Sequence, residues 1–286
     1  RIDLWARMES DRLTSPVMRE FYSERDVVME ERRMRMDNQP VGRLWELTMA
    51  TAFMAHPYQV PTIGWESDIR NLTADGAMEF FRTHYTPDRA VGALVGDLDI
   101  EETERILRET FGRIPAADPD RPAPRVVPEP EQEGERRAIL ELDAQPTLLM
   151  AWHKPTIPHV ADVQAEALME VLTGGRSARW FEKLVKERRL AADVSTFTGP
   201  GDAHPNLFIV YAVPQEGVTL EELEAALREE VATLRSELVD AAELEAAKKR
   251  LRANAIRALN SNLGLAQQLA SMTQISGDPY YLERRL

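Results

Sequence analysis

Glu24-Arg25-Asp26-Val27-Val28-Met29-Glu30-Glu31 combines acidic and apolar residues at helical spacing. It lies within Ser15 to Asn38, a segment that reads as a helix, with Pro16 suited to the first turn. Val17, Phe21, Glu24, Val28 and Glu31 follow one another at steps of 4, 3, 4 and 3, which places them on one seam. Three members of the seam are apolar and two are carboxylates. A carboxylate on a buried face is costly unless it is paired or bound to a metal. Two readings follow. Either Glu24 sits at the seam's edge and pairs with a surface arginine, or the helix offers one metal ligand with a second carboxylate behind it.

Outward from this helix, Val41 to Met54 reads as a second helix and His56 to Asp68 as a loop holding Pro57, Pro61 and Gly64. Thr73 to His84 reads as a helix, Ala90 to Val95 as a short strand, and Asp99 as the cap of a helix with Glu102 at the capping-box position and Gly112 at its end. Pro115, Pro119, Pro122, Pro124, Pro128 and Pro130 then crowd one stretch, which predicts an extended linker. Beyond it, Arg137 to Leu142 and Thr147 to Trp152 read as paired strands, Val160 to Leu172 and Ala178 to Arg188 as helices, and Ala192 to Thr198 and Leu207 to Val213 as strands. Thr219 with Glu222, and Asp240 with Glu243, mark two more helix starts. Hairpin-like strands among long helices predict an α+β fold of largely antiparallel sheet with helices packed on one face.

Length and composition set the bounds. A chain of 286 residues fits about two domains. Apolar residues at 43% and charged residues at 29% suit a soluble globular protein. No apolar run is long enough to span a bilayer. The net charge of −13 argues against nucleic acid as a partner, since Arg32-Arg33 sits beside Glu30-Glu31 and no other basic patch stands out. Cysteine is absent, which excludes disulfides and thiolate chemistry and leaves cytoplasm and periplasm equally open.

The Glu24–Glu31 run resembles the E-R-x-x-V-x-x-E segment of the pitrilysin, insulinase and mitochondrial-processing-peptidase family, the inverzincin zinc peptidases. Other segments share the likeness. They include His56-Pro57-Tyr58 with Pro61 and Ile63-Gly64, Phe80 through Pro87, Val95-Gly96-Asp97, and Leu172 through Arg179. The resemblance implies two related domains. Residues 1–114 would be the later part of a zinc-bearing domain, 115–134 a proline-rich linker, and 135–286 a second domain cut short at its end. It also implies that Glu31 is the third zinc ligand and Glu24 the carboxylate that supports the site. Zn2+ would be the cofactor of the intact enzyme, and an extended peptide or unfolded segment its substrate.

Two departures bear on that expectation. The family's zinc centre needs H-x-x-E-H for two imidazole ligands and a general base, and His56, His84, His153, His159 and His204 lack that spacing. The chain opens at Arg1, so it is read as a fragment whose upstream part held the motif, inactive as it stands. Some family domains also hold the substrate backbone with an Arg and a Tyr, and here Lys186 and Ala192 stand at those positions. The clamp would then come from a second family half or subunit, as a homo- or heterodimer. The rival expectation is a non-catalytic scaffold or partner subunit of the same family. Of the histidines, His56 reads as a loop residue bonding to backbone and His84 as helix-end packing. His153, His159 and His204 read as exposed, and Met29, Met34 and Met36 as core filler.

Overall fold

β3 (Asn206–Pro214) forms the middle of an antiparallel sheet, flanked by β1 (Leu148–Lys154) on one side and β2 (Ala191–Gly199) on the other. The register pairs Ala151 with Ile209 and Phe197 with Ile209, so apolar residues of all three strands line up in a row. The computed structural model describes residues 1–117, 120 and 125–285. Side chains alternate between the two faces of each strand. On one face Met150, Val194, Val210 and Ala212 join Leu172, Trp180, Leu184, Leu223 and Leu227. These last five come from helix α7 (Val160–Thr173), from Trp180 and the π-helical turn that follows it at Phe181–Glu187, and from helix α8 (Leu220–Ser236). This is the α+β layering anticipated, with helices on a sheet.

The opposite face is not open. Leu207 and Ile209, with Leu149, Ala151 and Phe197, pack against Trp45, Met49 and Phe53. Trp45 and Met49 belong to helix α3 (Pro40–Ala52), which begins with proline at its first turn, and Phe53 is the extended residue that ends it. Burying each such large apolar side chain stabilises by about 1.5–3 kcal/mol. The approach is close at Gly199, where an added Cβ would lie 2.9 Å from Trp45 Cη2. A helix from the first third of the chain is therefore part of the sheet's own core.

Around α3, helix α2 (Phe21–Arg32) runs into a π-helical turn at Arg33–Asp37, and α4 (Glu66–Asn71) packs against α2. Helix α5 (Ala74–His84) is capped by Thr73, whose hydroxyl accepts the Gly76 N–H. Helix α6 (Ile100–Thr110) is capped by Asp99, and α1 (Ile2–Thr14) packs on it with Trp5 5.8 Å from Phe111. The remaining helices are α9 (Ala241–Ala258), α10 (Asn262–Ser276) and α11 (Tyr281–Arg285). Both capping boxes anticipated for α8 and α9 are present. Among the described residues no helix is long and apolar enough to cross a membrane.

Several local expectations need correction. The segments Ala90–Val95 and Arg137–Leu142 form no strand; neither pairs with a strand among the described residues. The helix expected from Ser15 begins at Phe21, because Glu20 takes a left-handed conformation with φ 57°. At Asp99 the cap is one-sided, since the Glu102 side chain turns to Arg105. Met34 is exposed, whereas Met29 is buried. The parts of the expected linker at 118–119 and 121–124 lie outside the described residues. The remainder does not float free. Glu129 accepts the backbone N–H groups of Met54, Ala55 and His56, and just past the expected linker Arg136 donates to the carbonyls of Thr51 and Ala52.

Candidate functional site

Helix α2 decides how Glu24 and Glu31 are presented. Its buried residues are Met29 and Arg32, three apart on one side. That anchoring turns the seam of Phe21, Glu24, Val28 and Glu31 partly outward. Glu24 is exposed, while Phe21, Val28 and Glu31 are half-buried. Val17 precedes the helix and is 75% exposed. The Glu31 side chain keeps 42% of its surface accessible and meets Arg35 at 3.0 Å, one turn on. An exposed pair of this kind contributes little and is easily exchanged. Glu30 faces elsewhere, paired with Arg33 at 2.8 Å.

Behind Glu31, Arg32 reaches inward. Its guanidinium donates to the Gly64 carbonyl at 2.8 Å and to Glu46 Oε2 at 2.7 Å, and lies 5.9 Å from the Trp65 ring centre. Sequence reasoning weighed Arg32 only as half of the Arg32-Arg33 pair beside Glu30-Glu31 and gave it no role. The signal was its three-residue spacing from Met29, with a carboxylate at Glu46 on the next helix.

The His-Pro-Tyr turn lies at the end of α3. His56 is 4% exposed, and its Nδ1 accepts the Tyr58 N–H at 3.1 Å, the backbone role expected of it. Its ring lies 4.4 Å from that of Tyr58 and 5.0 Å from that of His204 on the β2–β3 loop. His204 is thus half-buried in this cluster rather than exposed. Burial pulls the His56 imidazole below its ordinary pKa, and His204 adds to the effect while Glu129 opposes it. Burial pushes the Tyr58 phenol up, with Asp202 in support, against the backbone N–H groups of His204 and Ala203. His84 stacks on Phe80 at the end of α5, as helix-end packing requires. His153 and His159 are exposed.

Along the outer side of β2 runs a cleft of about 770 Å³, lined in part by Thr196, Phe197, Leu251, Ala255, Met272 and Arg285. The strand edge there is partly closed, because the Thr173 hydroxyl takes the Thr196 N–H at 3.1 Å. Lys186 and Ala192 are both exposed; Lys186 pairs with Glu182 at 2.6 Å.

Zinc needs three or four converging donors. Among the described residues no three His, Asp or Glu side chains converge in that way. Glu31 is an accessible carboxylate whose one ion pair among the described residues is with the surface Arg35, and Glu24 lies two turns behind it on the same helix, so the chemistry of Glu31 is compatible with one corner of such a centre. The described residues do not make a complete centre by themselves.

Residues 71–251 match the family model described as the peptidase M16 inactive domain. Over 175 residues the chain is 32% identical to zinc protease PqqE of Helicobacter pylori, a match covering 60% of this chain and 39% of that protein. It is 23% identical over 242 residues to YmxG of Bacillus subtilis, an uncharacterized zinc protease, covering 85% of this chain and 57% of that one. The matched part thus takes in well under two thirds of these relatives. The crystal structure of a protease from Helicobacter pylori superimposes with a TM-score of 0.89 at 26% identity, covering 100% of this chain and 70% of that one. The M16 inactive domain from Pseudomonas fluorescens superimposes with a TM-score of 0.81 at 18% identity, covering 96% of this chain and 65% of that one. The chain therefore belongs to the peptidase M16 family and carries the inactive domain of that family over residues 71–251.

Proposed function

We propose that this chain is part of a zinc-dependent endopeptidase of the M16 type, to which it gives Glu31 as the third zinc ligand and Glu24 as that ligand's support. Residues 1–114 are the later part of the zinc-bearing domain, 115–134 the connection, and 135–286 the second domain. The other ligands and the general base come from elsewhere in the intact protein, so the chain alone does not cleave peptides. Zinc in such a centre supplies Lewis acidity toward the peptide carbonyl and water. The substrate is a peptide or unfolded segment, held between this half and a second family half or subunit.

One observation carries the proposal. The two carboxylates of E-R-x-x-V-x-x-E lie on a single helix that is fixed from behind by Met29 and Arg32, and both remain reachable from outside. The relatives named zinc proteases support the choice of metal. Exposed apolar side chains on α1 and α2, among them Leu4, Met8, Tyr22 and Val27, support a further segment covering this side in the intact protein.

The test is zinc content by elemental mass spectrometry of the intact gene product beside its Glu31→Gln variant. About one zinc per chain in the parent and loss in the variant are expected. Full zinc in the variant would remove Glu31 from the site. A parent without zinc would favour the non-catalytic scaffold or partner subunit.

A further inference from the structure

Arg32 is a cation buried to 5% exposure, one residue past Glu31. A guanidinium in that setting is unfavourable unless its donors are taken up. Arg32 places its two terminal nitrogens on three separate pieces of chain, while its Nε is buried without a partner among the described residues. Nη1 donates to the Gly64 carbonyl at 2.8 Å. Nη2 donates to Glu46 Oε2 on α3 at 2.7 Å and lies 3.4 Å from Asp37 Oδ1 in the π-helical turn. The Trp65 ring centre lies 5.9 Å from its central carbon. Met29, the other buried residue of α2, offers only non-directional packing. Among the described residues Arg32 is thus the buried residue through which α2 is held by directed bonds to α3 and to the Gly64–Trp65 turn; Arg25, nearer the start of α2, donates to the Arg70 carbonyl of α4 at 3.1 Å.

A helix turns by a fixed angle per residue, so seating one side chain sets the direction of its neighbour. We infer that Arg32 is the positioning residue for Glu31: seated on Glu46, Gly64 and Trp65, it fixes the rotation of α2 and with it the direction of the Glu31 carboxylate. The inference rests on the reading of Glu31 as a zinc ligand. A ligand must be held to within about 0.5 Å to bind well, and the flexible Arg35 pair on the surface does not supply that restraint.

The experiment measures zinc dissociation from the intact protein by competition with a chelator, on samples shown by circular dichroism to be folded at the working temperature. Glu31→Gln, Arg32→Met, Arg32→Lys, Glu46→Gln and the exposed control Arg33→Met are compared with the parent. Arg32→Met is expected to weaken zinc binding by about 10–100-fold, with Arg32→Lys recovering part of the loss. Arg33→Met should leave zinc binding as in the parent, since it removes only a surface pair. If Glu31→Gln keeps the parent's zinc, the ligand reading fails. If Glu31→Gln loses zinc while folded Arg32→Met binds as the parent does, the positioning role is overturned and the ligand reading stands. Should Arg32→Met not fold, Glu46→Gln decides: weakened zinc supports the role, and unchanged affinity overturns it.

Discussion

The Glu129 carboxylate accepts the backbone N–H of His56 at 3.0 Å, and with it those of Ala55 and Met54. One residue of the proline-rich connection thereby closes the end of α3, the helix that covers a face of the sheet. Burial opposes the charge on Glu129, but the three N–H groups and Arg136 outweigh it and hold the carboxyl below the usual carboxylate range. Glu129→Gln should therefore lower unfolding stability by about 1–3 kcal/mol, the cost of leaving such donors poorly satisfied. Urea denaturation of the chain at neutral pH checks this. A change under about 0.5 kcal/mol, the size typical of surface substitutions, would mean that the connection does not fasten α3.

His56 gives the second prediction, a pH effect at mild acidity. Its Nδ1 is already an acceptor for Tyr58, and its Nε2 is buried without a partner among the described residues. Protonation would break the first bond and bury a charge. It faces Phe53 from α3, Tyr58 from its own turn, His204 from the β2–β3 loop and Glu129 from the connection. The folded-state pKa is lowered, so this stability is present above the ordinary histidine value and is lost as pH falls through it toward the folded value. The urea midpoint should drop between about pH 7.5 and 5, a range that spans the histidine value and stays above the carboxylates. His56→Asn keeps an acceptor for Tyr58 and should flatten that slope. An equal slope in the variant would assign the effect to other groups.

Much of this arrangement was legible because caps and alternation are local. Thr219, Asp240 and the unbroken apolar run of β3, covered on both faces, sit where their own chemistry requires. The α2 seam was harder to read. Helical spacing puts Phe21, Glu24, Val28 and Glu31 on one side but does not say which side meets a neighbour, and Met29 with Arg32 turned out to face inward. A buried arginine is legible only once Glu46 and the Gly64 carbonyl are placed beside it. The segments Ala90–Val95 and Arg137–Leu142 have strand composition, yet a strand exists only with a partner to bond.

The α2–α3 junction gives a third prediction. At Gly42 an added Cβ would lie 2.2 Å from the Arg35 carbonyl oxygen and 2.9 Å from Met36 Cα. Both are backbone atoms of the π-helical turn, so neither can swing aside. Gly42→Ala should force α3 away from the turn, strain the Arg32–Glu46 bond and destabilise by about 1–3 kcal/mol. The favourable helix propensity of alanine, about 1 kcal/mol, works the other way and is too small to offset a backbone clash. Thermal unfolding of the variant reads the balance; a raised midpoint would show that the two segments separate freely.

The buried charges beside α7 give the fourth. Asp162 and Lys154 are 5% and 8% exposed, and Lys154 Nζ meets Asp162 Oδ1 at 2.6 Å. Arg285 of α11 adds a contact to Asp162 Oδ2 at 3.2 Å and bonds Glu166 as well. Burial pushes the Glu166 carboxyl up, against the pull of Arg285. Removing one charge of such a group strands another. Asp162→Asn leaves the Lys154 ammonium buried without its counter-charge, with only neutral acceptors such as the Pro155 carbonyl at 3.1 Å and the new amide oxygen. The expected cost is about 3–5 kcal/mol. Replacing both partners, as Lys154→Met with Asp162→Leu, removes the stranded charge and should recover most of that loss, because desolvation of the ion pair offsets much of its attraction. Denaturant unfolding of the parent, both single variants and the double variant separates the two ideas. A double variant as unstable as Asp162→Asn would mean that the loss lies in the anchoring of Arg285 and α11 rather than in the stranded lysine.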